Sequence, residues 1–216
     1  MKNTENLKAH EESVKLFHNE FLDNLTKTHS AIPITLFVLY GVGLLIYTKM
    51  KTDLGNLEVV GLFLGGFLLF TFTEYWMHRK LYHLPKTSKR NERFQYIMHG
   101  AHHKAPKDKN HLAMPPILSI AIGTLLLILF RAVLGKLAFS VLAGFMVGYA
   151  AYLFVHYIVH IFRPPNNFLK VLWTNHAIHH YKDDTVMFGV STPFWDYVFG
   201  TVPKKKMGRK QVEVKV

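Results

Sequence analysis

Four stretches of the chain stay apolar for about as long as a lipid bilayer is thick. Ala31 to Thr48 carries no charge and has Pro33 where a helix start tolerates it, and Val59 to Met77 is interrupted only by Glu74 near its end. Ile117 to Gly135 carries Arg131 late enough to snorkel, and Leu137 to Ile161 is the fourth. A helical crossing takes about 20 mostly apolar residues, and none of the four shows the polar face expected of a helix in a soluble bundle. The pattern predicts an all-α, polytopic membrane protein with four transmembrane helices, about 31–48, 59–77, 117–135 and 137–161. They form one membrane-embedded domain, 31–216, after a polar N-terminal segment, 1–30, whose mixed charge does not read as a signal peptide. A cytoplasmic helical cap is expected from 78–116 and 162–203, followed by a basic tail, 204–216. Small residues four apart, Gly61 with Gly65 and Gly144 with Gly148, are the expected close contacts between helices.

Charge settles an orientation. The 216 residues include 26 Lys and Arg against 14 Asp and Glu, a formal net charge of +12 that in a soluble protein would suggest a nucleic acid or an anionic surface. Four basic residues lie in 1–30, nine in 78–116 and nine in 162–216; only Lys49, Lys51, Arg131 and Lys136 lie at the opposite loops and flanks. By the positive-inside rule the termini and the middle segment are cytoplasmic, so the excess records topology and no nucleic-acid partner is expected. The Lys204-Lys205-Lys206 run is expected to lie against lipid headgroups.

Cysteine is absent and histidine abundant, at fourteen residues, so any metal site must be built from imidazole, carboxylate and water. Ten histidines fall in four groups at or beyond the cytoplasmic ends of spans: His78 and His83; His99, His102 and His103; His156 and His160; His176, His179 and His180. On a helix, positions i, i+3 and i+4 share a face, so each trio can converge, as can His156 with His160. His78 and His83 differ by about 140° on a regular helix and should approach from two directions. Ten imidazoles exceed the coordination of one ion, so a dimetal centre is expected. His10, His18 and His29 read as polar residues of the N-terminal segment, and His111 is open. Imidazole suits zinc, copper, iron or nickel. There is no H-E-x-x-H, no phosphate-binding glycine loop and no G-x-S-x-G. By elimination, redox chemistry on a lipid C–H bond at the membrane face is the reading that suits the site.

The segments EYWMHRKLYH from Glu74, MHGAHHKAPKDKNHLAMPP from Met98, HYIVH from His156 and NHAIHHYKDDTVMFGVSTPFWDYVFGT from Asn175 resemble the fatty acid hydroxylase family, more narrowly its fatty acid 2-hydroxylases. The resemblance covers about residues 13–203. It implies a four-span, histidine-bound di-iron monooxygenase using O2 as co-substrate on a lipid acyl chain, free or in a ceramide or sphingolipid; zinc could occupy the protein as isolated. It also implies that His78, His83, His99, His102, His103, His156, His160, His176, His179 and His180 are the ligands, and that Tyr157 sits beside the metals. Thirty N-terminal residues are too few for a cytochrome b5-like domain. The expected partners are therefore a separate electron donor (cytochrome b5-like, ferredoxin or reductase), the lipid substrate and membrane lipids. The short form points to a bacterial inner membrane, or to the endoplasmic reticulum in a eukaryote. Leu153 stands where an Asp is expected, and His111 where an Arg is usual.

Glu74, Asp183 and Asp196 are expected to orient ligating histidines from behind. Trp76, Tyr82, Trp173, Phe194, Trp195 and Tyr197 read as an interfacial aromatic belt. Two other functions fit the same skeleton: a sterol or carotenoid hydroxylase or desaturase, and a non-enzymatic membrane protein that binds or transports metal. The second would need ligands within the membrane, whereas these lie at span ends.

Overall fold

The computed structural model describes residues 14–203; His10 and the basic tail 204–216 lie outside them. Among the described residues the regular structure is all helical. In chain order the helices are α1 (Glu20–Thr26), α2 (Ala31–Lys51), α3 (Asn56–Trp76), α4 (Lys89–Gln95), α5 (Ala101–Lys104), α6 (Pro116–Leu134), α7 (Ala138–Ile161), α8 (Lys170–Tyr181) and α9 (Phe194–Val198). Two π-helical turns, Met77–Tyr82 and Tyr96–Gly100, extend α3 and join α4 to α5.

Among the described residues, three continuous helical stretches are long and apolar enough to cross a membrane: Ala31–Lys51, Asn56–Tyr82 and Pro116–Ile161. The third has 46 residues, about twice what a bilayer takes. It breaks at Gly135, whose φ of 55° lies in the left-handed region that glycine enters without steric cost. Beyond that break α7 folds back on α6, and Phe130 meets Phe145 with ring centroids 5.7 Å apart. The short loops after α2 and before α7 lie together at one end, where Lys136 contacts Asp53 at 2.5 Å.

Helix α7 is the central element, packed on α2, α3 and α6. Phe37 and Leu44 of α2, Phe70 of α3, and Leu142, Ala143, Phe145, Met146, Ala150 and Leu153 of α7 form the core. Backbone approach between α3 and α7 sets the crossing. A Cβ on Gly66 would lie 1.9 Å from the Val141 carbonyl oxygen, and one on Gly144 would lie 1.9 Å from that of Phe63. The expectation for Gly61 and Gly65 fails, because both face open space; Gly66, one residue on, makes the contact, with Gly144 and Gly148 opposite. Helical phase explains the shift, since adjacent residues lie about 100° apart.

Large apolar side chains face outward along α2, α3 and α6, including Leu39, Leu64, Ile120 and Ile128, and Val133 is 81% exposed. Of α6, only Ser119 and Gly123 are buried. Exposed apolar surface on this scale is stable against lipid, not water.

Candidate metal centre

The N-terminus of α2, the C-terminal end of α3, the N-terminus of α6 and the C-terminus of α7 meet at one end of the bundle. The segments 83–115 and 162–203 close over it. Ten imidazoles converge there in two pentads, with the five candidate ligand atoms of each within 4.8 Å of one another. The first pentad is His78, His83, His99, His103 and His179; the second is His102, His156, His160, His176 and His180.

Helical phase sorts the histidines. In each trio the i, i+4 pair serves one pentad and the remaining residue, about 100° away, serves the other. His99 and His103 join the first and His102 the second; His176 and His180 join the second and His179 the first. His156 and His160 complete the second pentad as another i, i+4 pair. His78 and His83 complete the first, and here the regular-helix expectation fails. The π-helical turn Met77–Tyr82 bonds i to i+5, and this wider turn brings i and i+5 to one side instead of 140° apart.

The Nε2 atoms are crowded. His78 and His99 are 3.0 Å apart, as are His83 and His179. In the second pentad His102 and His156 are 2.9 Å apart, and His160 lies 3.2 Å from His156 and 2.7 Å from His176. A neutral imidazole has one N–H and one lone pair, so five nitrogens aimed at one point cannot all satisfy one another. The buried His103 Nε2 and both His180 nitrogens have no hydrogen-bond partner. A cation at the centre of each pentad resolves this, and the donor set fits a metal that accepts imidazole. The pentads abut, with the rings of His103 and His180 stacked at 4.2 Å.

Burial also holds the rings in the ligating, neutral form. Outside the spans, His99, His102 and His176 lie well below the ordinary histidine value. Burial disfavours their cations, and neighbouring imidazoles add repulsion. The same causes lower His180 and bring His103 to about 3. Burial lowers His179 to about 4 against the opposing Val186 carbonyl, and lowers His83 against the opposing charge of Asp184.

None of the three expected carboxylates reaches a histidine by a hydrogen bond. Glu74 is buried and instead accepts the Val190 and Ser191 N–H groups at 2.7 and 2.9 Å, and the Ser191 hydroxyl. Asp196 is fully buried and accepts the Phe188 and Gly189 N–H groups, both at 2.8 Å, and the Thr201 hydroxyl. Burial pushes Asp196 upward against these hydrogen bonds. The two carboxylates therefore grip one backbone segment, Val186–Ser191. From that segment the Phe188 carbonyl accepts from His78 Nδ1 at 2.6 Å and the Val186 carbonyl from His179 Nδ1 at 2.8 Å. Between those carbonyls Met187 holds a positive φ of 56°, a strained turn retained beside the site. Asp183 is exposed and closes a local turn onto Thr185; its neighbour Asp184 faces a pentad histidine, at 3.9 Å from His83 Nδ1.

Tyr157 packs its ring against His29 at 5.7 Å, about 100° around α7 from His156 and its pentad. The tyrosines stacked on pentad rings are Tyr152, on His156 at 5.4 Å, and Tyr82, on His99 at 5.3 Å. The i, i+4 spacing of Tyr152 and His156 is a sequence signal for the first, whereas Tyr82 reads by position as part of the aromatic belt. Trp195 is tied inward, donating to the Thr71 hydroxyl at 3.0 Å. Trp173 donates to the Phe162 carbonyl at 2.9 Å, whereas Phe194 and Tyr197 are exposed. His111 ties the loop before α6 to α1: Nδ1 meets Asp108 at 2.8 Å and Nε2 the Thr26 hydroxyl at 3.3 Å. Leu153 is buried in the bundle core.

A family model described as fatty acid hydroxylase matches residues 63–201. The chain is 31% identical over 214 residues to a fatty acid 2-hydroxylase of Macaca fascicularis, covering 89% of this chain and 58% of that protein. It is 35% identical over 198 residues to the ceramide very long chain fatty acid hydroxylase scs7 of Schizosaccharomyces pombe, covering 88% and 55%. With the dihydroceramide fatty acyl 2-hydroxylase FAH1 of Arabidopsis thaliana it shares 30% identity over 205 residues, covering 94% and 86%. The chain thus spans little more than half the length of the first two relatives and most of the third. A solved structure described as full-length scs7p, with only the hydroxylase domain visible, superposes with a TM-score of 0.78 at 33% identity, covering 87% of this chain and 71% of that one.

Proposed function

The chain belongs to the fatty acid hydroxylase family, and from that premise we propose that it is a membrane monooxygenase that hydroxylates a fatty acyl chain at the 2-position. The observation that carries the reading is the pair of abutting histidine pentads at one end of an apolar helical bundle. The acyl hydroxylase activities named for the relatives support the acyl substrate over a sterol or carotenoid. The substrate class is a free fatty acid or the acyl chain of a ceramide or sphingolipid.

The first pentad would hold one iron ion and the second another, and together they would supply reductive activation of O2. The overall change is balanced: an acyl CH2, O2, two electrons and two protons give the acyl CHOH and water. The electrons require a donor protein or reductase as partner. The chain's own residues present neutral imidazoles, fix two of them through the Val186–Ser191 segment, and cover the site with the cap. The four long helices α2, α3, α6 and α7 each cross the membrane, forming one domain with the cap. The cap and both termini lie on the cytoplasmic face of a bacterial inner membrane or of the endoplasmic reticulum. The basic residues gathered on that side support this orientation.

Lipid mass spectrometry of a host expressing the protein with an electron donor tests the activity. The expected result is a one-oxygen mass gain that fragments to carbon 2 of acyl chains and disappears in His176→Ala. Metal-loaded, reducible protein that leaves acyl chains unchanged while oxidising sterols or carotenoids would overturn the reading.

A further inference from the structure

The two pentads differ in what stands behind them. In the first, the Nδ1 atoms of His78 and His179 donate to the carbonyls of Phe188 and Val186 at 2.6 and 2.8 Å. His83 Nδ1 faces Asp184 at 3.9 Å. The segment that carries both carbonyls cannot swing, because four consecutive N–H groups, from Phe188 to Ser191, are bound by the buried carboxylates of Asp196 and Glu74. Asp196 is itself fixed by the Thr201 hydroxyl, which bonds Tyr75 at 3.0 Å. In the second pentad the buried Nδ1 atoms of His102 and His176, and both nitrogens of His180, have no hydrogen-bond partner. The buried Nδ1 of His156 has none either.

An acceptor behind an imidazole fixes the tautomer with Nε2 free for metal, sets the ring plane and raises ligand basicity; losing such a partner typically costs about 10–100-fold in metal affinity. We propose that the two metal positions are unequal: the first pentad is the tight position, filled first and emptied last, and the second is the exchangeable one. Glu74, Asp196 and Ser191 are positioning residues for the tight position, acting through the backbone of Val186–Ser191 and not through any contact with the ion. This rests on the dimetal reading above and adds an order of loading to it.

The test is a Co2+ titration of the purified full-length protein after chelator stripping, read as ions bound per chain and as the absorption of each bound ion. Two ions are expected to bind in steps separated by at least about 10-fold. A limiting chelator should remove one equivalent before the other. His179→Ala should abolish the tight step and His176→Ala the weak one. Ser191→Ala, which removes one hydroxyl contact while leaving the backbone donors, should weaken the tight step alone. Two equivalents binding with one affinity, or loss of the weak step in His179→Ala, would overturn the inequality while leaving the dimetal reading intact. One ion or none per wild-type chain would overturn the dimetal reading itself. The wild-type titration and the chelator experiment decide the matter even if a variant fails to fold.

Discussion

A buried histidine without its metal is a source of acid sensitivity. The imidazoles of His83, His99, His102, His103, His176, His179 and His180 all have folded-state values below the ordinary one, burial being the first cause in each. The unfolded chain, with histidines near about 6.5, therefore binds more protons than the folded chain as pH falls. Their stability contribution is complete above about 6.5 and is lost as pH falls towards the values of about 3 and 4 at His103 and His179. Chelator-stripped protein should show a thermal midpoint that drops steadily from pH 7 to pH 4, and bound metal should flatten that slope by competing with protons. A flat profile for the stripped protein would contradict the burial of the rings. The ten clustered histidines were legible in the sequence because their grouping at and beyond the ends of the apolar stretches is a property of the chain. Their division into pentads was only half legible. It follows from helical phase within each trio, but for His78 and His83 it depends on a π-helical turn that spacing does not announce.

Elements meet through backbone contacts as much as side chains. At Gly66 and Gly144 the backbones of α3 and α7 touch, so a side chain at either must push the helices apart. Gly66→Val should destabilise by about 1–3 kcal/mol and lower the thermal midpoint in detergent, whereas Gly65→Val, facing open space, should be neutral. Comparing the two midpoints separates crossing geometry from helix propensity, which valine changes equally at both sites. The loop before α6 is a second such joint. Asp108 accepts the Val14 and Asn110 N–H groups and pairs with His111, drawing the N-terminal segment over the cap. Asp108→Ala leaves these donors unpaired, at about 1–3 kcal/mol for each group that stays buried. Faster proteolysis or amide exchange in residues 14–30 should report it, with the histidine pentads still able to bind metal. The Asp108 and His111 pairing was not legible in the sequence. Spacing three apart in a loop of many charged residues gave no reason to prefer it, and His111 had no assigned part.

At the scale of the whole molecule, the orientation proposed from charge can be tested directly because the chain has no cysteine. Single cysteines introduced at Lys107, on the cap, and at Lys136, at the opposite end, should label from opposite faces of the membrane in intact cells. Lys107→Cys should be protected from an impermeant reagent added outside and Lys136→Cys should react; the reverse pattern would invert the topology. The apolar runs, the one-sided basic residues and the ten grouped histidines were determined by the sequence alone. Lipid burial, the membrane's charge asymmetry and the helical repeat act on local composition and need no knowledge of the fold. Tertiary structure decided the rest. It selected Gly66 over Gly65 for the helix crossing and placed Tyr152 and Tyr82 against the pentads, with Tyr157 against His29 instead. It also directed Glu74 and Asp196 to four backbone N–H groups of the Val186–Ser191 segment instead of to histidines. Those choices depend on which atoms lie within about 3 Å across sequence separations of up to 117 residues. Such distances are set by the packing of the cap on the bundle and not by the spacing of residues along the chain.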